Sequence, residues 1–184
     1  MKLPGVRRLV RLKRVDSTQA VARRLAEEGA PDGTLVWALA QTAGKGRMGR
    51  RWRSEPGGLY ASWLLRPKFP PARLAELSLA CGEALASALR DFGAATTVKP
   101  PNDVLALGPD GRARKLCGIL CEAAGDSTRL HWLIIGFGVN VNNLPTLKRA
   151  TSLRLLTGRR AALSSVLKAA MARLSRARRA GNFV

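Results

Sequence analysis

The sequence predicts an α+β fold, in which helices back one side of a mixed β-sheet. Three observations predict it. Short apolar segments typical of strands follow one another along the chain, long segments carry apolar residues at helical spacing, and the two kinds do not alternate regularly as in parallel α/β proteins. With 184 residues and 46% apolar side chains, the chain has the size of one domain over residues 1–184.

Each predicted element follows from local spacing. Alternating or continuous apolar runs predict strands at 9–15, 35–40, 59–65, 96–98, 104–107, 116–123 and 129–141. Ser17 or Thr18 is suited to cap a first helix that runs to Glu28. Apolar residues three and four apart predict a second helix over 71–92 and a last helix, whose apolar spacing covers 163–174 and which belongs to a basic C-terminal helix of about 161–179.

The net charge is +20, from 32 Lys and Arg against 12 Asp and Glu. This charge favours polyanionic partners, although an arginine-rich solvated surface explains it equally well. The longest apolar run, 130–141, is too short to span a bilayer, and the N-terminus lacks the apolar region of a secretory signal. Three cysteines form neither an even disulfide set nor a zinc-ligand pattern. These features predict a cytoplasmic protein with reduced thiols, without membrane contact and without a protein-bound metal.

A glycine- and arginine-rich segment, 41–58, lacks any apolar period and is predicted to be a long functional loop. Residues 44–49 match the pattern G-x-G-x-x-G, but no helix is predicted to follow, so a dinucleotide-binding fold is not indicated. Five cations lie within nine residues: Lys45, Arg47, Arg50, Arg51 and Arg53. Glycine exposes backbone N–H groups and arginine supplies paired donors, so the segment suits a phosphate or a carboxylate. A solvated surface loop and an RNA-binding arm are the alternatives.

Glycines also interrupt the long apolar strand predicted at 129–141. Gly136 and Gly138 lie inside that strand. Glycine inside a strand weakens it, so the two glycines indicate that a ligand or another backbone segment approaches closely there.

Six segments are taken together, in chain order: Ser-Thr-Gln at 17–19, Gln-Thr-Ala at 41–43, Gly-Lys-Gly-Arg-Met-Gly-Arg-Arg-Trp at 44–52, Lys-Pro-Pro-Asn-Asp at 99–103, Lys-Leu-Cys-Gly-Ile-Leu at 115–120, and Gly-Phe-Gly-Val-Asn-Val-Asn at 136–142. This order and spacing resemble the catalytic domain of biotin–protein ligases, over about residues 16–156. The resemblance implies a mixed sheet backed by helices, related to class II aminoacyl-tRNA synthetases and lipoate ligases.

The resemblance implies a two-step reaction on biotin and Mg²⁺-ATP. The biotin carboxylate attacks the α-phosphate of ATP and forms biotinyl-5′-AMP and pyrophosphate. A lysine of a biotin carboxyl carrier protein then attacks the mixed anhydride and releases AMP. Two rival functions stay open. One is a lipoate or octanoate ligase or transferase of the same fold, and the other is a non-catalytic basic module that binds nucleic acid.

By this resemblance, Arg47 and Lys115 are the catalytic residues, because they would hold the carboxylate and the phosphate oxygens as charge develops. The implied biotin-binding residues are Ser17, Thr18, Gln19, Gln41, Gly44, Lys45, Arg47, Lys115 and Gly118. The implied nucleotide-binding residues are Arg47, Arg50, Trp52, Asn102, Asp103, Lys115 and Asn140. Gly118 would let the biotin ring pack on the backbone, and Trp52 would pack under the closed loop. An Asx turn is the alternative role for Asn102 and Asp103.

The chain also departs from the family pattern. Pro100 stands where the family usually has Trp, which removes an aromatic wall, and Lys45 stands where Arg is common. We recognise neither a helix-turn-helix domain before Ser17 nor the small β-barrel that usually follows. Specific DNA binding is therefore not expected, and a minimal ligase, a truncated product and one half of a split enzyme are alternatives. A homodimer formed through the sheet is a further implication of the resemblance.

Overall fold

A computed structural model of the chain describes residues 1–68, 71 and 74–181. Its strands are β1 (Arg8–Leu12), β2 (Thr34–Ala38), β3 (Leu59–Leu65), β4 (Thr96–Lys99), β5 (Asp103–Leu107), β6 (Ala113–Gly125) and β7 (Leu130–Val139). Its helices are α1 (Thr18–Glu27), α2 (Leu74–Arg90), α3 (Leu153–Thr157) and α4 (Leu163–Arg179).

The strands form one sheet in the order β1-β2-β3-β7-β6-β5-β4. β1 pairs with β2 in parallel and the other neighbours pair antiparallel, so the sheet is mixed, as predicted. In the centre, the register sets Gly118 opposite Gly138, and Gly136 opposite both Leu120 and Ser62. Because side chains alternate between the faces of a sheet, these five residues share one face.

Helices cover both faces of the sheet, so the prediction that they lie on one side is wrong. α2 and α4 bury residues such as Leu85 and Met171 against Trp63 on one face. α1 packs Ala22 against Leu64 on the opposite face. β2 and β3 are buried along their whole length, and strands covered on both faces have continuous apolar sequences of this kind. α1 has only ten residues and leaves uncovered part of the sheet face on which it packs.

Most predicted boundaries agree with the structure within about three residues, and β3 agrees at both ends. α4 ends at Arg179, which is the end predicted for the basic C-terminal helix, and the cations in its last turn stabilise a helix C-terminus. α3 was not predicted. It has five residues, begins after Ser152, whose side chain accepts from the Leu155 N–H, and ends at Gly158 with φ 69°. Of the helix predicted at 71–92, positions 72 and 73 lie outside the described residues.

Candidate active site

A cavity of about 860 Å³ lies on the face of the sheet that α1 covers only in part. This volume is within the range of small-molecule sites. Its walls come from the start of α1, the glycine- and arginine-rich segment, β6, β7 and the segment that follows β7. The predicted site residues that line it are Ser17, Thr18, Gln19, Gln41, Lys45, Arg47, Arg50, Trp52, Asn102, Asp103, Lys115, Gly118 and Asn140. The topology therefore brings together residues that are far apart in the sequence.

One end of the cavity is a network of uncharged side chains at the N-terminus of α1. Gln41 Oε1 accepts hydrogen bonds from the Thr18 backbone N–H at 2.7 Å and from the Thr18 hydroxyl at 3.0 Å. Ser62 Oγ, on β3, lies 3.0 Å from Thr18 Oγ1 and 2.9 Å from Gln19 Oε1. Gln19 Nε2 donates to the Leu120 carbonyl at 3.5 Å. Thr18, Gln19 and Ser62 are buried and Gln41 is partly exposed, and the bonds that connect the four side chains make the geometry of the network well defined.

Ser17 occupies the N-cap position of α1, but its side chain does not cap the helix, which corrects one of its two expected roles. Gln41 satisfies a different donor of the first helical turn, since its side-chain oxygen accepts from the Thr18 N–H. Ser17 is 1% exposed, and its Oγ has no hydrogen-bond partner among the described residues. Such a group costs about 1–3 kcal/mol when unpaired, which favours a complementary ligand. We call Ser17, Thr18, Gln19, Gln41 and Ser62 the neutral end.

Glycines form the floor of the cavity: Gly118, Gly136 and Gly138 all belong to its lining. A Cβ atom at Gly136 would lie 2.4 Å from Gln19 Oε1. A Cβ atom at Gly138 would lie 2.5 Å from the Trp52 ring, and one at Gly118 would lie 2.9 Å from it. The close neighbours of these glycines are therefore side chains of this chain, and Trp52 covers the position expected to receive a substrate ring.

The segment 41–58 was predicted to be a long loop, and the structure has no strand there; isolated bridges draw the two arms of this loop together as a hairpin. Gln41 bridges to Ser54, and Lys45 bridges to Arg51, both in antiparallel register. The tip is a short 3-10 turn over Arg47–Gly49. The hairpin places its cations at the mouth of the cavity.

Gly44 was expected to contact the substrate, but the structure places it inside the hairpin, between the two arms. A Cβ atom there would lie 2.5 Å from the Trp52 carbonyl oxygen and 2.7 Å from Ser54 Oγ. The missing side chain therefore allows the two arms of the hairpin to approach each other.

The other end of the cavity is cationic. Arg47 is exposed at the hairpin tip, and its Nη1 donates to Asn102 Oδ1 over a long distance of 3.4 Å. Arg53 Nη1 donates to Thr146 Oγ1 at 2.6 Å. We call the cations that line the cavity the cationic end: Lys45, Arg47, Arg50, Arg51, Arg53, Lys99 and Lys115. In this lining, as far as the structure describes it, the carboxylates are Glu55 and Asp103. The excess of positive charge attracts anions.

Lys115 extends from β6 towards the middle of the cavity. Its Nζ lies 2.6 Å from Asp103 Oδ1 and 5.2 Å from the centroid of the Trp52 ring. The two charged side chains are about 30% exposed, so solvent weakens their attraction. Asp103 Oδ1 is itself shielded from solvent, and a ligand anion in the cavity would compete with it for the Lys115 ammonium group.

The side chains of Asn102 and Asn140 are held in place by hydrogen bonds to other residues of the protein. Asn102 Nδ2 donates to the Ile119 carbonyl at 2.9 Å, so its carboxamide joins β6 rather than closing an Asx turn. Asn140 is 5% exposed, and its Oδ1 accepts from Asn143 Nδ2 at 2.9 Å. Both side chains are fixed where they meet the cavity.

Sequence reasoning missed three contributors to the site. Ser62 was detectable, because a polar residue inside the buried apolar run 59–65 requires a partner. Ser54 gave no such signal. The segment 143–150 lines the cavity with residues such as Thr146 and Leu147, and its irregular backbone leaves no periodic pattern in the sequence.

The thiols lie away from this chemistry. Cys81 and Cys117 are buried and Cys121 is partly buried, and all three are free. Burial raises the pKa of Cys117 to about 12. Among residues 1–68, 71 and 74–181, no group of three His, Cys, Asp or Glu side chains is placed to hold a metal ion. In the same ranges no helix has the length and apolar character needed to cross a membrane.

Residues 12–140 match the model of the biotin/lipoate A/B protein ligase family. The bifunctional ligase/repressor BirA of Bacillus subtilis is 41% identical over 133 residues, which are 71% of this chain and 39% of that protein. The biotin–[acetyl-CoA-carboxylase] ligase of Paracoccus denitrificans is 36% identical over 137 residues, which are 73% of this chain and 55% of that protein. The chain thus spans between about two fifths and just over half of the length of these relatives.

Solved structures give the same result. The biotin protein ligase from Aquifex aeolicus in complex with biotin and ATP is 36% identical and superposes with a TM-score of 0.76, covering 92% of this chain and 69% of that one. The biotin protein ligase from Leishmania major in complex with biotinyl-5-AMP is 26% identical, with a TM-score of 0.69. The predicted α+β fold is confirmed by these likenesses.

Proposed function

The chain belongs to the biotin/lipoate A/B protein ligase family, and from this premise we propose that it activates biotin with ATP and transfers the biotinyl group to a lysine of a biotin carboxyl carrier protein. One observation carries the proposal: a single cavity joins the buried neutral end to the exposed cationic end. Biotin has the same division, with an uncharged ureido head group and a carboxylate tail. Relatives named as ligases of biotin support this substrate over lipoate.

The neutral end recognises the ureido head group. A ureido group carries two N–H donors and a carbonyl acceptor, and each needs a partner when it leaves water. Ser17 offers an unpaired buried hydroxyl, and the Gln41 and Thr18 side chains lie next to it in the same lining. The dithiolane ring of lipoate would leave this hydroxyl unpaired. A site built for hydrogen bonds rejects a ligand that lacks them, so biotin is favoured.

The cationic end carries out the first chemical step. A biotin carboxylate oxygen bonds to the α-phosphorus of ATP, the bond from that phosphorus to the bridging oxygen breaks, and pyrophosphate leaves. Both reactants are anions, so the paired donors of Arg47 hold the carboxylate near the α-phosphate. Lys115 turns from Asp103 to the phosphoryl oxygens and stabilises the charge that develops on them. The hairpin then shields the acyl-adenylate from water.

The other predicted residues hold the nucleotide. Arg50, Trp52, Asn102 and Asn140 line the cavity beside the catalytic pair and are assigned to the ATP side of it. ATP enters as its magnesium complex, and Mg²⁺ in such sites takes one or two carboxylates besides phosphate oxygens and water. Asp103 and Glu55 fit this donor set, and the ion would supply charge neutralisation on the phosphates.

The second step forms the product. The ε-amine of the carrier lysine attacks the biotinyl carbonyl carbon, an amide bond forms, and AMP leaves with the bonding electrons. The amine must lose a proton, which passes to Asp103 or to solvent. Lys115 stays on the carbonyl and phosphate oxygens and stabilises the tetrahedral intermediate.

The test is biotin-dependent exchange of pyrophosphate into ATP by the purified chain. We expect exchange with biotin, none with lipoate, and a rate lower by at least about 10²-fold in Arg47→Ala or Lys115→Ala. Arg159→Ala is the matched control, because Arg159 is exposed between α3 and α4, outside the cavity lining. Exchange with lipoate alone would favour the rival acid. Absence of exchange with any acid, together with salt-dependent nucleic acid binding, would favour the non-catalytic module.

A further inference from the structure

We propose that Ser54 is a positioning residue that fixes the Gln41 carboxamide for recognition of the head group, an inference that rests on the proposed function. Ser54 lies at the base of the hairpin and is 5% exposed. Its Oγ accepts a hydrogen bond from Gln41 Nε2 at 2.7 Å. Ser54 lies outside the cavity lining, so it acts through Gln41.

The donors and acceptors around Gln41 allow one arrangement. The Thr18 backbone N–H can only donate, so the atom 2.7 Å from it must be the Gln41 oxygen. The Gln41 nitrogen therefore faces Ser54. The Trp52 carbonyl, 3.2 Å from Ser54 Oγ, can only accept, so the Ser54 hydroxyl donates its hydrogen bond to that carbonyl. The lone pairs of Ser54 Oγ are then the acceptor for Gln41. Ser54 and Thr18 thus hold the carboxamide from opposite ends.

The hairpin does not depend on the Ser54 hydroxyl. The Gln41 backbone N–H also donates to the Ser54 carbonyl at 3.1 Å, and Trp52 N–H donates to the Gly44 carbonyl at 2.9 Å. Alanine at position 54 keeps both backbone bonds. It removes the side-chain acceptor for Gln41 and the hydroxyl that donates to the Trp52 carbonyl, so Thr18 alone holds the Gln41 carboxamide while the hairpin stays paired.

The test measures the Kd for biotin by titration calorimetry in the unmodified chain, Ser54→Ala, Gln41→Ala and the double variant. Loss of one neutral hydrogen bond corresponds to a rise in Kd of about three- to tenfold in Ser54→Ala. KM for ATP and the exchange rate at saturating biotin are expected to change less than twofold. In the Gln41→Ala background, the same substitution is expected to change Kd less than twofold, because its partner is gone.

Ser175→Ala is the matched control. Ser175 is 3% exposed in α4, outside the cavity lining, and also accepts a side-chain hydrogen bond, here from Arg179. The Kd of the Ser175→Ala variant for biotin should equal that of the unmodified chain. Ser54→Cys preserves the volume with a weak acceptor, so it should reproduce the rise even if the alanine variant is unstable.

Two results would overturn the positioning role: an unchanged Kd in Ser54→Ala and Ser54→Cys, or a rise of the same size when Gln41 is already alanine. A chain that binds no biotin at all would overturn the proposed function, and this inference with it.

Discussion

The neutral end and the cationic end of the cavity are built in different ways. Thr18, Gln19 and Ser62 are at most 4% exposed and are joined to one another by hydrogen bonds. Arg47 is exposed at a hairpin tip, and its bond to Asn102 is 3.4 Å long. Uncharged groups can be buried at low cost once they are paired, whereas unpaired cations are best kept in water. Recognition of the uncharged part of the ligand therefore depends on the folded core. Charge neutralisation depends on a surface segment whose cations gain a partner when an anion binds.

The largest effect should come from the cationic end. Arg47→Ala removes the paired donors to the carboxylate and phosphate, and the exchange rate should fall by about 10²–10³-fold, the typical loss of one preorganised donor to developing charge. Arg47→Lys keeps the charge but not the planar geometry, so it should recover only part of the rate. Steady-state exchange kinetics give both values. Full activity of Arg47→Ala would contradict the assignment of the chemical step to the cationic end.

A substitution in the floor should affect both ends. Gly138→Ala puts a Cβ atom within 2.5 Å of the Trp52 ring, which must then move. We expect KM to rise by about tenfold for biotin and for ATP, since displacing a packed side chain such as Trp52 costs on the order of 1–3 kcal/mol. In a Trp52→Ala background the added methyl group has room, so it should then have little further effect. Equal losses in both backgrounds would show that Trp52 is not the obstacle.

The smallest effect should come from Ser17→Ala at the neutral end. Removing one uncharged hydroxyl partner should raise the Kd for biotin by about three- to tenfold and leave the exchange rate at saturating biotin within twofold. Because the Ser17 hydroxyl has no partner among the described residues, the melting temperature should not fall. Calorimetry and thermal unfolding check the two expectations, and a marked loss of stability would assign Ser17 to the fold instead.

Sequence reasoning found the residues of the cavity more reliably than the contacts between them. The motifs around Gln41, Arg47 and Lys115 predicted side chains that do line one cavity. The N-cap preference of serine predicted a bond that Ser17 does not make, and the side chain that meets the helix N-terminus is a carboxamide 23 positions along the chain from Thr18. Local propensity contains no information on such a long-range contact.

Three further differences have separate causes. The position of Trp52 over Gly118 depends on how the hairpin folds back, which no local pattern records. Coverage of both faces of the sheet was detectable, because the continuous apolar runs at 34–38 and 59–65 leave no polar face for solvent. α3 is too short for periodicity to reveal it.

One measurement tests the central claim that the two ends do separate work. It records the Kd for biotin and the exchange rate at saturating biotin in Gln41→Ala and in Lys115→Ala. The account predicts a crossed result: Gln41→Ala raises Kd about tenfold and keeps most of the rate, while Lys115→Ala keeps Kd within threefold and loses at least about 10²-fold in rate. If both variants lose affinity and rate together, the two ends act as one unit and the account is contradicted.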